Sequence, residues 1–246
     1  MASIIAFRKK YSIKNLAPRF DKICGQKIVG NFTNNLTVPD SIRGVLCYSN
    51  ERDCWEFAEL INNNRKLRGI KTNLKQIECF RKIIIILESP HRDEYDKNGK
   101  PLFPAQGKTG SKIVKNIENI EKWRGVNNSL SIKLDREKSY CVILMNPVQY
   151  AASCYKFWDT IKAKNGKVPA NLTDFTHKVF EFLFLNNDLR LKEDFKERLR
   201  NLYTKGDIVI NSTTEKNRSI VKNAIEEVKI EIHLTTLHPS SRKNFC

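Results

Sequence analysis

Four apolar runs frame this chain. Ile83-Ile84-Ile85-Ile86-Leu87, Cys141-Val142-Ile143-Leu144-Met145 and Ile208-Val209-Ile210 are unbroken, and Ile230-Glu231-Ile232-His233-Leu234 runs on to Leu237. Short, β-rich runs without a polar face are what a strand buried on both sides requires. Helical spacing lies between them. Behind Ser111, a capping residue type, Ile113, Val114, Ile117, Ile120 and Trp123 recur on one face. Phe175, Val179, Phe182 and Leu183 mark a helix over 173–186, and Phe195, Leu199 and Leu202 mark another over 192–203 that Gly206 closes. A further helix spans 215–228. Upstream, 51–66 reads as a helix with Trp55, Ala58, Leu60 and Ile61 buried, and 1–50 is irregular. Strand–helix alternation predicts a parallel sheet covered on both faces. The expected fold is therefore α/β, in three layers (α/β/α), around a central, mainly parallel sheet of four strands near 83–87, 140–145, 207–211 and 230–237. Residues 1–70 form an N-terminal basic extension packed on a core domain of 71–246.

Each run ends in polar residues. The first stops at Glu88-Ser89-Pro90-His91, the second at Asn146-Pro147, the third at Asn211-Ser212, and the last leads to His238-Pro239-Ser240. In open α/β sheets the ligand sits beyond the carboxyl ends of the strands. Glu88, Asn146 and His238 are thereby expected to share one crevice. The long connection 92–110, rich in Gly, Pro and charge, has the composition of a functional loop. Within it, Gly107-Lys108-Thr109 imitates a phosphate-binding loop, but the position five before Gly107 is Leu102 and no strand leads directly into it. That spacing argues against a nucleotide triphosphatase.

Charge narrows the partners. Lys and Arg number 44 against 27 Asp and Glu, a net +17 spread along the chain rather than gathered in a tail. A folded domain this basic meets a polyanion, with nucleic acid foremost. The seven cysteines form no C-x-x-C pair, as expected of reduced thiols in a cytoplasmic protein rather than of a disulfide scaffold or a metal site. No apolar run reaches membrane-spanning length, and the short patch from Met1 to Ala6 is not a signal-peptide core. Neither membrane, metal nor cofactor is expected.

The motifs resemble those of the uracil-DNA glycosylase superfamily. Leu87-Glu88-Ser89-Pro90-His91 is similar to its first motif, G-Q-D-P-Y in one branch and G-E-A-P-G in the iron–sulfur branch. That branch continues with acidic residues and G-x-P-F-x-G-x-A-G; here stand Asp93-Glu94, Gly99-Lys100-Pro101-Leu102-Phe103 and Gly107-Lys108-Thr109-Gly110. Val142-Ile143-Leu144-Met145-Asn146 resembles the strand that ends in a base-reading Asn, and Leu237-His238-Pro239-Ser240-Ser241 resembles the closing H-P-S-P motif. The resemblance runs from about residue 80 to the C-terminus. It implies a uracil-DNA glycosylase-like domain that flips a base out of DNA and hydrolyses its bond to deoxyribose, as a monomer and without a metal. By resemblance, Glu88 and His238 carry the chemistry, with His238 donating to the departing base. Asn146 reads the base edge, Phe103 stacks on it, and His91 and Ser89 complete the pocket. Pro90, Lys108, Ser240 and Ser241 meet the DNA backbone, and Arg242 wedges into the gap.

The departures bear on the substrate. Leu87 replaces the first Gly, and Ser89 stands where one branch has its catalytic Asp, which moves the acid's work to Glu88, Asp93 or Glu94. His91 replaces the Tyr that excludes 5-substituted pyrimidines, so uracil or a bulkier modified pyrimidine, including a modified cytosine of phage DNA, is expected. The cysteine pairs of the iron–sulfur branch are absent, so no cluster is expected. Two readings compete: a nucleic-acid-binding relative without catalysis, and another α/β hydrolase acting on nucleotides. Residue by residue, Asn146 and His238, each beside a proline, are alternatively turn residues. Glu88 is alternatively a wall carboxylate bonded to backbone amides, and Phe103 a core residue. His177 and His233 read as structural.

Overall fold

A computed structural model describes residues 37–61, 66–67, 80–90, 92–94, 101–123, 125–126, 132–149, 177, 180–181, 183–187 and 189–239. The fold is α/β, built on a mixed sheet. Its strands are β1 (Ser41–Ser49), β2 (Cys54–Ile61), β3 (Lys66–Leu67), β4 (Arg81–Ile86), β5 (Tyr140–Met145), β6 (Ile208–Asn211) and β7 (Leu234–Thr235). Their order is β3-β2-β1-β5-β4-β6-β7. The helices are α1 (Lys108–Asn116), continued by a 3-10 turn over Ile117–Lys122, α2 (Leu191–Leu202) and α3 (Glu215–Glu227).

β4 is the centre of the sheet because Ile83 to Ile86 are fully buried on both faces. The two-residue period of a strand sends Ile84 and Ile86 to one side and Ile83 and Ile85 to the other. On the first side they meet Phe180, Phe184, Phe195, Leu199, Val221 and Ile225 from the C-terminal helices. On the second they meet Ile113, Ile117, Ile120 and Trp123. β4 pairs in parallel with β5 and with β6, and β6 with β7. Asp207 ties the start of this group together, accepting from the Lys82 backbone N–H at 2.9 Å, Lys82 Nζ at 3.1 Å and the Thr204 N–H at 2.8 Å.

The sheet departs from the four-strand expectation at its other edge, where β1 runs antiparallel to both β5 and β2. Residues 51–61, expected within a helix over 51–66, are not helical: a turn at 50–53 folds β2 back on β1. Aromatic side chains favour this outcome, since Tyr48 and Trp55 stand opposite each other with ring centroids 5.3 Å apart. Trp55 then donates to Glu121 at 3.0 Å, tying the hairpin to the helical layer. Ser41 to Leu67, assigned from sequence to an appended extension, thus supply strands of the sheet itself.

Smaller differences have local causes. α1 begins at Lys108, ahead of Ser111, and Gly110 in its first turn lies where no side chain fits: a Cβ there would lie 1.7 Å from the Ala105 carbonyl oxygen. α2 ends at Leu202, and Gly206, at φ +95°, serves the turn that follows. Over 180–185 the core receives Phe180, Leu183 and Phe184. Among the described residues the run 230–237 is strand only at Leu234–Thr235, with Glu231 and His233 exposed. Among the described residues no helix is long and apolar enough to cross a membrane.

The cysteines offer a test of this packing. Cys141 is buried in β5, and burial pushes its thiol up to about 12, whereas Cys54 is exposed. Only the thiolate reacts. Iodoacetamide at pH 8 should therefore alkylate Cys54 in the native protein and leave Cys141 unmodified until denaturant is added, as peptide mass spectrometry would read; equal labelling would contradict the position of β5.

Candidate functional site

The carboxyl ends of the parallel strands emerge along one edge of the sheet, and their backbone ladders continue past the last paired residue. The Leu87 N–H donates to Met145 O at 2.9 Å, Val148 N–H to Glu88 O at 3.3 Å, Ser212 N–H to Ile86 O at 2.8 Å and Thr236 N–H to Asn211 O at 2.9 Å. These bonds hold four loops side by side. Glu88, Ser89 and Pro90 follow β4, Asn146 follows β5, and His238 lies three residues past β7.

Glu88 is the most constrained. Its Oε1 accepts from Asn217 Nδ2 at 2.9 Å and its Oε2 from the Thr214 backbone N–H at 3.3 Å. Thr214 caps α3, so the carboxylate sits at that helix's positive end, where an anion is stabilised. His177 Nδ1 lies 3.8 Å from Glu88 Oε1, and 3.3 Å from both Thr214 Oγ1 and Asn217 Nδ2. His177, read from sequence as structural, therefore belongs to this cluster. One signal could have found it: His177, Phe180 and Phe184 are spaced i, i+3, i+7, so the imidazole continues a face that enters the core.

Asn146 is held from two directions. Its backbone N–H donates to Asp40 Oδ1 at 3.3 Å, and its carbonyl accepts from Arg198 Nη2 at 3.2 Å, as does the Pro147 carbonyl at 3.3 Å. Asp40 and Arg198 close the frame with an ion pair at 2.5 Å, and Gln149 Nε2 donates to Asp40 at 3.3 Å. The Asn146 side chain, itself buried, donates from Nδ2 to Glu94 Oε2 at 3.4 Å. Glu94 is buried in a 3-10 turn over Arg92–Glu94, so this loop acid stands against the strand-end amide. Neither Asp40 nor Arg198 could be picked out from sequence, because a lone Asp after Pro39 and one Arg among many carry no pattern.

The remaining expectations divide. Ser89 is buried and its hydroxyl has no hydrogen-bond partner among the described residues. Pro90 is buried beside it. Phe103 is half-buried, in a segment fixed to the acidic turn by Leu102 N–H donating to Glu94 O at 2.8 Å. Lys108 is exposed at the first turn of α1, and His238 is half-buried. His233 stands before β7, its Nδ1 accepting from the Val209 N–H at 3.3 Å. His91, Ser240, Ser241 and Arg242 lie outside the described residues.

Burial pushes the Asp40 carboxyl up from its ordinary value, and Arg198 is the chief opposing influence. Removing Arg198 would leave a buried, uncompensated carboxylate, a loss on the order of 3–5 kcal/mol for such pairs. A group whose folded pKa is raised favours the folded state at low pH and loses that advantage as pH rises. Arg198→Ala should therefore be markedly less stable than the parent at pH 7 and closer to it at pH 4, by urea unfolding. Asp40→Asn added to it should restore part of the loss. A pH-independent difference would mean that Asp40 is not the group left unpaired.

Comparison with known protein families, curated proteins and solved structures gives no match for this chain.

Proposed function

We propose that this protein is a DNA glycosylase of the uracil-DNA glycosylase type, hydrolysing the bond between a flipped pyrimidine and deoxyribose to leave an abasic site. The support is that Glu88, Asn146 and His238, the three residues singled out by motif, follow parallel strands β4, β5 and β7 of one sheet edge. The net charge of +17 suits a DNA partner. The parallel group β5-β4-β6-β7 is read as the four-stranded centre of such a domain, with β1 to β3 added at one side. The protein is read as a cytoplasmic monomer.

The chemistry is a displacement at C1′ of the sugar. The C1′–N bond breaks with both electrons going to the base, water adds to C1′, and the proton it loses ends on the departing base, which leaves neutral. His238 donates a hydrogen bond to the base oxygen that gathers the charge, and Glu88 lies under the developing sugar cation. Ser89, whose buried hydroxyl has no partner among the described residues, supplies a donor to the bound base. Asn146 reads the base edge and Phe103 stacks on it.

One observation favours a second reading, a nucleic-acid-binding relative without catalysis. Both Glu88 oxygens already accept hydrogen bonds, from Thr214 and Asn217, as a wall carboxylate would. Release of free base from modified oligonucleotides separates the two. Under the catalytic reading, His238→Ala should lower the single-turnover rate by roughly two to three orders of magnitude while DNA affinity changes little. Glu88→Gln should be severe if the carboxylate faces the sugar cation and mild if it only braces α3. Wild-type base release by the His238 variant would remove the assignment.

Binding itself has a salt signature. Several phosphate contacts release counterions, so the association constant should fall by about 10³ or more between 50 mM and 200 mM salt. A flat titration by fluorescence anisotropy would argue against DNA as the partner.

A further inference from the structure

Asn146 and Glu94 together present more information than Asn146 alone. The amide of a lone Asn can turn either way, offering donor and acceptor in either order. Here Nδ2 is committed toward Glu94 Oε2 at 3.4 Å, while the Asn146 backbone is gripped by Asp40 and Arg198. Both Asn146 and Glu94 are almost wholly buried, 1% and 3% exposed, so a base meets them only when seated fully inside the site, out of water. A carboxylate offers only acceptors. The pair therefore sets an acceptor, Glu94, next to a donor, the second N–H of Asn146 Nδ2.

The complement of that pattern is a base edge with an exocyclic amine beside a ring-nitrogen acceptor. Cytosine and its 5-substituted derivatives have it, as N4–H₂ beside N3, and adenine shares it. Uracil and thymine have the reverse, O4 beside N3–H, and would set O4 against a carboxylate. Acidic side chains accept from cytosine N4 for this reason. We propose that Glu94 is a specificity-determining residue that, with Asn146, selects a 4-aminopyrimidine, the cytosine class, over uracil. The inference rests on the glycosylase reading and deepens it by naming the base. The departing step is unchanged, because cytosine and uracil share the O2 carbonyl that would take the charge as the C1′–N bond breaks.

Position 4 can be isolated with matched bases. Oligonucleotides carrying cytosine or uracil, 5-methylcytosine or thymine, and 5-hydroxymethylcytosine or 5-hydroxymethyluracil hold the 5-substituent constant within each pair. Adenine is a separate arm. Single-turnover release by the full chain should favour the amino member of each pair that reacts by roughly 10- to 100-fold, the discrimination expected of one good bidentate contact. Glu94→Gln, whose amide can donate to O4, should narrow that ratio by about tenfold or reverse it. Equal or faster release of the uracil-type member by the unaltered protein would overturn the inference and leave the glycosylase reading standing. A cytosine preference that Glu94→Gln leaves untouched would overturn the role of Glu94. Faster release of adenine would overturn the choice of a pyrimidine. Release of no base from any substrate would overturn the glycosylase reading and this inference with it.

Discussion

A strand apolar on both faces cannot be left half-covered, and β4 imposes that constraint on the whole molecule. Ile83 to Ile86 present branched side chains above and below the sheet, so each face requires its own helical layer. Ile113, Ile117, Ile120 and Trp123 close one face, and Phe180, Phe184, Phe195 and Leu199 close the other. Each fully buried side chain of this size contributes about 1.5–3 kcal/mol. Summed over the two layers, that burial outweighs any single polar contact in the protein, so the polar groups are arranged around β4 rather than the reverse.

The same burial governs the carboxyl edge of the sheet. Strands that end inside a covered sheet leave backbone groups and polar side chains in a poorly solvated place, where an unpaired group costs about 1–3 kcal/mol. Two solutions recur. Glu88 takes its donors from the start of α3, and the Asn146 segment takes its partners from Asp40 and Arg198. Each brings together residues far apart in the chain. The first holds the Glu88 side chain in one orientation, and the second holds the Asn146 backbone. Ser89 differs, a buried hydroxyl with no hydrogen-bond partner among the described residues.

The loop after β4 links the two solutions. Its acidic turn puts Glu94 against Asn146, and its next segment is anchored to that turn through Leu102. Gly107 permits the approach that follows, since a Cβ there would lie 2.5 Å from Asp93 Oδ2.

Much of this was legible in the chain itself. Unbroken runs of Ile, Val and Leu determine buried strands because no amphipathic alternative exists for them, and β4, β5 and β6 stand where those runs are. The helical spacing of Phe195 and Leu199 marks α2 for a different reason, because it puts one apolar face against the core. The tertiary structure decided what depends on partners. Residues 54–61 carry a pattern compatible with helix, and became a strand because β1 offered a pairing edge with Tyr48 opposite Trp55. Asp40 and Arg198 have no local signature, since an ionisable side chain acquires its role from the group that faces it. Hydrophobic periodicity is a property of a segment and can be read along the chain. A hydrogen bond between residues more than a hundred positions apart, as Asn217 makes to Glu88, is a property of the fold.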